Sequence, residues 1–226
     1  MLMNMGQTED FILDMPSYML EHTSFDLMML AKVTTFEQLL ACLAGTPYAP
    51  ILRKVRKEEQ KTDYLRCESV LYDFYYTYLL QSVDKHFRGE ARKNLRDIMM
   101  SEIEAHNMEI IFRLKRFYKM EADKIKPLLF HFSLNEDKIE KLFAADTIEE
   151  MVKVSGIHWT QPQGKTIPEG FVELVTHSFC YDVYKKRMHF TTQAPVAMYT
   201  FLALRNIEVQ NIITVIEGVR YGQPQN

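Results

Sequence analysis

Two Glu-x-x-x-His pairs, Glu102 with His106 and Glu173 with His177, are the residues whose types and spacing come nearest to chemistry. Four residues apart on a helix, a carboxylate and an imidazole share one face, and two such faces could enclose a metal ion. Carboxylate-bridged di-metal bundles use Glu-x-x-His with two further glutamates from other helices, which is a different spacing. The other histidines (His22, His86, His131, His158 and His189) show no ligand spacing. A glycine-rich phosphate loop, a Gly-x-Ser-x-Gly elbow, a His-Glu-x-x-His helix and a kinase signature are all absent from the sequence. The plainer reading of both pairs is solvated or locally hydrogen-bonded side chains. The chain therefore reads as non-catalytic, with neither cofactor nor metal.

Binding is the next chemistry to consider. Basic residues gather at Arg53-Lys54-Val-Arg56-Lys57 and again at Arg113, Lys115, Arg116 and Lys119. The second group closes an apolar-periodic segment, where positive charge complements the carbonyl end of a helix. Solvated faces explain both groups; docking of an acidic protein surface is the sharper alternative. Asn107 and Asn211 lie near the apolar stripe of their segments, where a buried amide needs a hydrogen-bond partner. An internal bond fixing how neighbouring helices meet is the structural reading of both. Tyr48 and Trp159 each follow a glycine by three residues and read as aromatic plugs under a loop.

The elements that must position these groups are helices. Apolar residues at Leu95, Met99, Ile103, Ile110, Leu114 and Phe117 predict one long helix over 89–120. Leu71, Phe74, Tyr75, Tyr78 and Leu79 predict a helix over 65–84, and Pro195 opens a last helix ending near Gly218 or Gly222. Capping boxes stand at Thr35…Gln38, Ser133…Glu136 and Thr147…Glu150. Loops are expected around 45–62 and 155–170, the latter holding Pro162, Gly164, Pro168 and Gly170.

The chain also matches itself. Residues 26–40 lie over 138–152, with Leu30 on Leu142, Thr35 on Thr147 and Glu37 on Glu149. Residues 68–76 lie over 173–181, with Phe74 on Phe179 and Tyr76 on Tyr181. Glu104-x-x-Asn107, running on to Arg116-Phe117, lies over Glu208-x-x-Asn211, running on to Arg220-Tyr221. Such a period is far longer than the ~20–50 residues of stacking solenoids, so each copy is a small domain. The expectation is two tandem all-α modules, residues 1–132 with a divergent N-terminal segment and 133–226, packed together.

Composition bounds the partners. At 226 residues, 47% hydrophobic and 25% charged, the chain can bury a proper core. A net charge of −3 gives no electrostatic case for nucleic acid. Cys42, Cys67 and Cys180 form no C-x-x-C pair, and a reducing compartment is expected. The opening Met-Leu-Met-Asn-Met-Gly-Gln-Thr-Glu-Asp does not read as a secretory signal, and no stretch approaches the ~20 apolar residues of a membrane span.

Together these motifs resemble the C subunits of V/A-type rotary ATPases, equivalent to the d subunit of the eukaryotic V-ATPase. The resemblance rests on Phe36-Glu-Gln-Leu-Leu-Ala-Cys-Leu-Ala-Gly-Thr-Pro-Tyr48, similar to the family's helix and T-x-Y turn. It rests also on Glu104-x-x-Asn107…Arg113-x-Lys115 and on Glu208-x-x-Asn211-Ile…Gly218-Val-Arg-Tyr-Gly222, and it covers most of residues 19–224. The family has three similar helical modules in a funnel, of which this pattern contains two. Its Arg-rich opening helix has no counterpart in the first eighteen residues.

The resemblance implies a non-catalytic socket on the cytoplasmic face of the membrane. Such a socket receives the central axle, sits on the rotor ring and couples ATP hydrolysis or synthesis to proton or sodium transport. Membrane contact would then run only through the ring. Arg113, Lys115, Arg116, Arg220 and Tyr221, at the ends of the two Asn helices, are the expected partner contacts. A free-standing helical adaptor and a metal-dependent helical enzyme using Glu102, His106, Glu173 and His177 stay open as alternatives.

Overall fold

The computed structural model describes residues 23–59, 64–130, 136–156 and 172–220. Every regular element among them is helical, so the chain is all-α. The order is α1 (Leu27–Ala31), α2 (Phe36–Cys42), α3 (Tyr48–Glu59), α4 (Tyr64–His86), α5 (Gly89–Arg116) and α6 (Ala122–Ile125). A 3-10 turn (Lys126–Leu128) follows, then α7 (Glu136–Ala144), α8 (Ile148–Ser155), α9 (Val172–Phe190) and α10 (Ala194–Arg220). Two compact units divide between Tyr75 and Tyr76, inside α4.

In the first unit Thr35 and Gln38 form the expected capping box, each side chain satisfying the other's backbone amide. Phe36, Leu43, Ala49 and Leu52 make its core, with Tyr48, Cys67 and Leu71 packed against them. The predicted loop over 45–62 is overturned, because Tyr48–Glu59 is helix. Pro50 is compatible with it, because it stands in the first turn, where a backbone amide has no helical partner to lose. Ala49, Leu52 and Val55, three residues apart, then supply the buried stripe. Arg56 pairs with Glu37 and lies 5.1 Å over the Phe36 ring.

The second unit is built around α5. Ten of its residues are buried, from Leu95 to Leu114. Leu95, Ile98, Met99 and Ile103 pack with Tyr76, Leu80 and Val83 of α4, with Phe130, with Tyr184 of α9 and with Val196 of α10. Burying side chains of this size contributes about 1.5–3 kcal/mol each. A polar network ties the start of α5 to the turn between α9 and α10. Arg187 donates to Asn94 at 2.6 Å and Asp97 at 3.2 Å, and Asn94 donates to Gln193 at 3.0 Å. The Thr147–Glu150 capping box is present, and Gly156 (φ 72°) closes α8 in the left-handed conformation a glycine favours.

The long helix predicted over 89–120 stops at Arg116. Met120 N–H turns back to the Leu114 carbonyl at 3.0 Å, with Lys119 at φ 50° between them. The turn satisfies a carbonyl that would otherwise be left orphaned at the helix end. The predicted helices over 65–84 and from Pro195 correspond to α4 and α10. Ser133 and the expected loop over 155–170 lie wholly or largely outside the described residues, as does the Trp159 plug.

Candidate functional site: the ends of the two Asn helices

Asn107, midway along α5, is fully buried. Its Nδ2 donates to the Phe130 carbonyl at 2.7 Å, and Phe130 N–H donates to its Oδ1 at 2.8 Å. One side chain thus satisfies both backbone groups of a residue that begins no helix and belongs to no strand. The amide was expected to fix helix against helix; it fixes the segment after the 3-10 turn instead. One turn earlier, Glu104 pairs with Lys138 of α7, which also donates to the Ser155 carbonyl at 3.2 Å. Burial holds the Lys138 ammonium below the usual lysine range. Phe130 and α7 are therefore clamped onto the second half of α5 by Asn107 and Glu104, with Ile111 and Phe112 buried in the same stretch.

Beyond the clamp, α5 ends in a basic and aromatic tip. Between residues 113 and 126 six cations face two acids, Glu121 and Asp123. Arg116, Lys119, Lys124 and Lys126 are exposed, together with Phe117 and Tyr118. Arg113 is half exposed between Glu109 at 3.2 Å and Glu173 at 3.6 Å. Lys115 has a different task. Its Nζ donates to the Phe143 carbonyl at 2.7 Å, the Ala145 carbonyl at 2.6 Å and Asp146 at 2.9 Å. Those carbonyls belong to the end of α7, so Lys115 caps that helix with a charge that suits its dipole. Hydrogen bonding to Lys115 draws the Asp146 carboxyl below its ordinary range. The Lys115 ammonium is thus engaged inside the chain.

Asn211 and Glu208 stand in α10 at the positions matching Asn107 and Glu104. Both are exposed, and Glu208 pairs with Arg205 one turn back in its own helix. Arg220 is the last described residue of α10, and Gly218 lies in open space within that helix. Tyr221 and Gly222 lie outside the described residues. Tyr48 heads α3, its amide donating to Thr46 Oγ1 at 3.3 Å and its ring edge-on to Phe74 at 5.8 Å.

The Glu-x-x-x-His pairs have separate surroundings. Glu102 accepts from Tyr184 at 2.7 Å and from Tyr199 at 2.9 and 3.0 Å. Burial nevertheless raises its carboxyl above the ordinary range, and it pushes the neighbouring Cys180 thiol up to about 12. His106 stacks on Phe130 at 5.2 Å, while Glu173 faces Arg113. Among the described residues no group of three or more His, Cys, Asp or Glu side chains is gathered as a metal would require. A polar cavity of about 530 Å³ reaches from Glu102, His106 and Glu109 to Gln210 and Asn211. The Glu102–tyrosine cluster escaped the sequence reading because its members lie on three helices up to 97 residues apart.

The family model described as ATP synthase (C/AC39) subunit matches residues 2–226. The A-type ATP synthase C subunit of Methanosarcina mazei is 25% identical over 209 residues, 89% of this chain and 56% of that protein. Its namesake in Methanococcoides burtonii is 26% identical over 202 residues, 85% of this chain and 54% of its own length. That of Methanosarcina barkeri is 31% identical over 122 residues, 54% of this chain and 32% of the relative. The chain thus spans about half the length of two of these relatives, and its match to the other covers a third of that protein. No solved structure matches it.

Proposed function

The chain belongs to the ATP synthase (C/AC39) subunit family, and we propose that it is a non-catalytic coupling component of a V/A-type ATPase or ATP synthase. In this reading it stands between the rotor axle and the membrane ring, on the cytoplasmic face, and transmits torque that drives or harvests proton or sodium movement. The carrying observation is the family match over nearly the whole chain. Two physical features support it. A torque-bearing part must be stiff, and α5 is held on several sides by close-packed helices and side-chain clamps. Membrane contact would go through the ring, and no described helix is long and apolar enough to span a bilayer.

Two tandem modules, 1–132 and 133–226, fit this role as parts of a funnel-like socket. The tip of α5 is the surface we assign to partners, through Arg113 and Arg116 with Phe117 and Tyr118 beside them. Exposed aromatic and arginine side chains are the usual anchors of protein interfaces. The end of α10, with Arg220 and Tyr221, is the second contact.

Tagging the protein and purifying it gently from native membranes tests the reading. Recovery of the axle and ring proteins with ATPase activity is the expected result. Recovery of the protein alone from the cytosolic fraction overturns it and favours a free-standing adaptor. Arg113→Glu with Arg116→Glu should weaken the association while leaving the isolated protein's Tm nearly unchanged.

A further inference from the structure

The turn that joins α4 to α5 and the turn that joins α9 to α10 meet at one end of the second unit. Arg187 reaches Asn94 and Asp97, Asn94 reaches Gln193, and Gln193 donates to Glu90 at 3.0 Å. The two turns are thereby fastened side by side. Over 84–97 and 182–193 the sequence sets eight lysines and arginines against four acids, in a chain whose net charge is −3. Three of those acids are already engaged: Asp84 with Arg96, Asp97 with Arg187 and Glu90 with Gln193. Lys85, Arg92, Lys93, Lys185 and Lys186 are exposed. So is the Phe190 ring, at 83% the most exposed large apolar side chain among the described residues.

Helix dipoles explain only part of this charge. Lys85 stands at the end of α4 and Lys186 near the end of α9, where cations suit the exposed carbonyls. Arg92 closes the first turn of α5 and Lys93 follows it, where a cation opposes the dipole. Neither pairs with a carboxylate among the described residues. Charge set against a local rule marks a functional surface. The residue types then choose the partner. Protein interfaces are depleted in lysine, and this end carries four lysines around a single bare phenylalanine. Anionic headgroups attract every such cation, and an aromatic ring beside them settles at the boundary between headgroups and acyl chains.

We propose that this end of the second unit docks directly on a bilayer carrying anionic phospholipid. Its lysines and Arg92 lie against the headgroup phosphates, and Phe190 inserts beneath them. The basic and aromatic tip of α5 takes no part: from Arg92 to Arg116 the helix runs about 36 Å, so the two surfaces stand at opposite ends of it. The lipid contact is independent of the rotor role, and a membrane ring would add to it.

Co-sedimentation of the purified full chain with vesicles tests it. The probes are vesicles of phosphatidylglycerol mixed into phosphatidylcholine, and vesicles of phosphatidylcholine alone. Binding to the first, little to the second and release by high salt are expected. Lys93→Gln with Lys186→Gln should weaken binding about thirtyfold, at about fivefold per charge. Phe190→Ala should weaken it about tenfold. None of these variants should move the Tm, because the side chains are exposed. Arg113→Glu with Arg116→Glu should leave vesicle binding unchanged. Equal binding to the two vesicle types overturns the proposal, as does no binding or binding that survives loss of the lysines. An oligonucleotide or polyglutamate bound as tightly as the anionic vesicles, and indifferent to Phe190→Ala, would also overturn it. Vesicle binding by a protein that never co-purifies with axle or ring would keep this contact and remove the rotor role.

Discussion

The second half of α5 and the second half of α10 carry nearly one pattern of residues in opposite surroundings. Asn107 is fully buried and grips the backbone of Phe130, whereas Asn211 faces solvent. Ile111 is fully buried, while its match Val215 is 65% exposed. Glu104 meets a lysine of another helix; Glu208 meets an arginine of its own. The difference teaches that this motif is half of a joint. It presents an amide, a carboxylate and an apolar stripe, and its energetic worth depends on whether a segment such as 121–155 lies against it.

Mutating matched positions should expose that inequality. The largest effect is expected for Ile111→Ala, a cavity in a fully buried site, at about 2–5 kcal/mol. Val215→Ala should stay within about 0.5 kcal/mol in the isolated chain. Chemical denaturation of the two variants side by side measures both, and equal losses would break the comparison. Asn107→Ala comes next. It strands the N–H and C=O of Phe130 in a buried place, at about 2–3 kcal/mol, against a few tenths for Asn211→Ala.

Lys115→Met should cost about 1 kcal/mol through the lost cap of α7, discounted for the partial exposure of the ammonium. Reversal of charge at Lys115 therefore confounds binding with stability, whereas Arg113→Glu should shift Tm least of all. A thermal melt of each variant separates the two roles.

Glu102 gives a pH test that belongs to the α5 side alone. Burial raises its carboxyl in the folded chain above the ordinary 4.5, so the folded state holds the proton more tightly than the unfolded one. Its contribution to stability is then greatest below 4.5 and is lost as pH rises through the folded value. Glu102→Gln should flatten that part of the stability–pH curve, leaving the slope from Glu109, which burial also raises. An unaltered curve would mean that the tyrosine hydroxyls offset the burial completely.

Much of this protein was legible in the order of its residues. Apolar steps of three and four gave α4, α5 and α10, and Thr35–Gln38 and Thr147–Glu150 gave helix starts, because periodicity and caps act within a few residues of chain. The helix over Tyr48–Glu59 was read as loop although Pro50 sits in its first turn, and the stop at Arg116 was missed because Lys119, rather than a glycine, takes the left-handed position. The sequence by itself also determined that Asn107 and Asn211 match, and that both lie on apolar faces. Only the tertiary structure decided that the first is buried against Phe130, that Lys115 caps α7 and that Glu102 lies between two tyrosines. Burial and hydrogen-bond partnership are properties of pairs of segments, and no local pattern says which distant segment arrives.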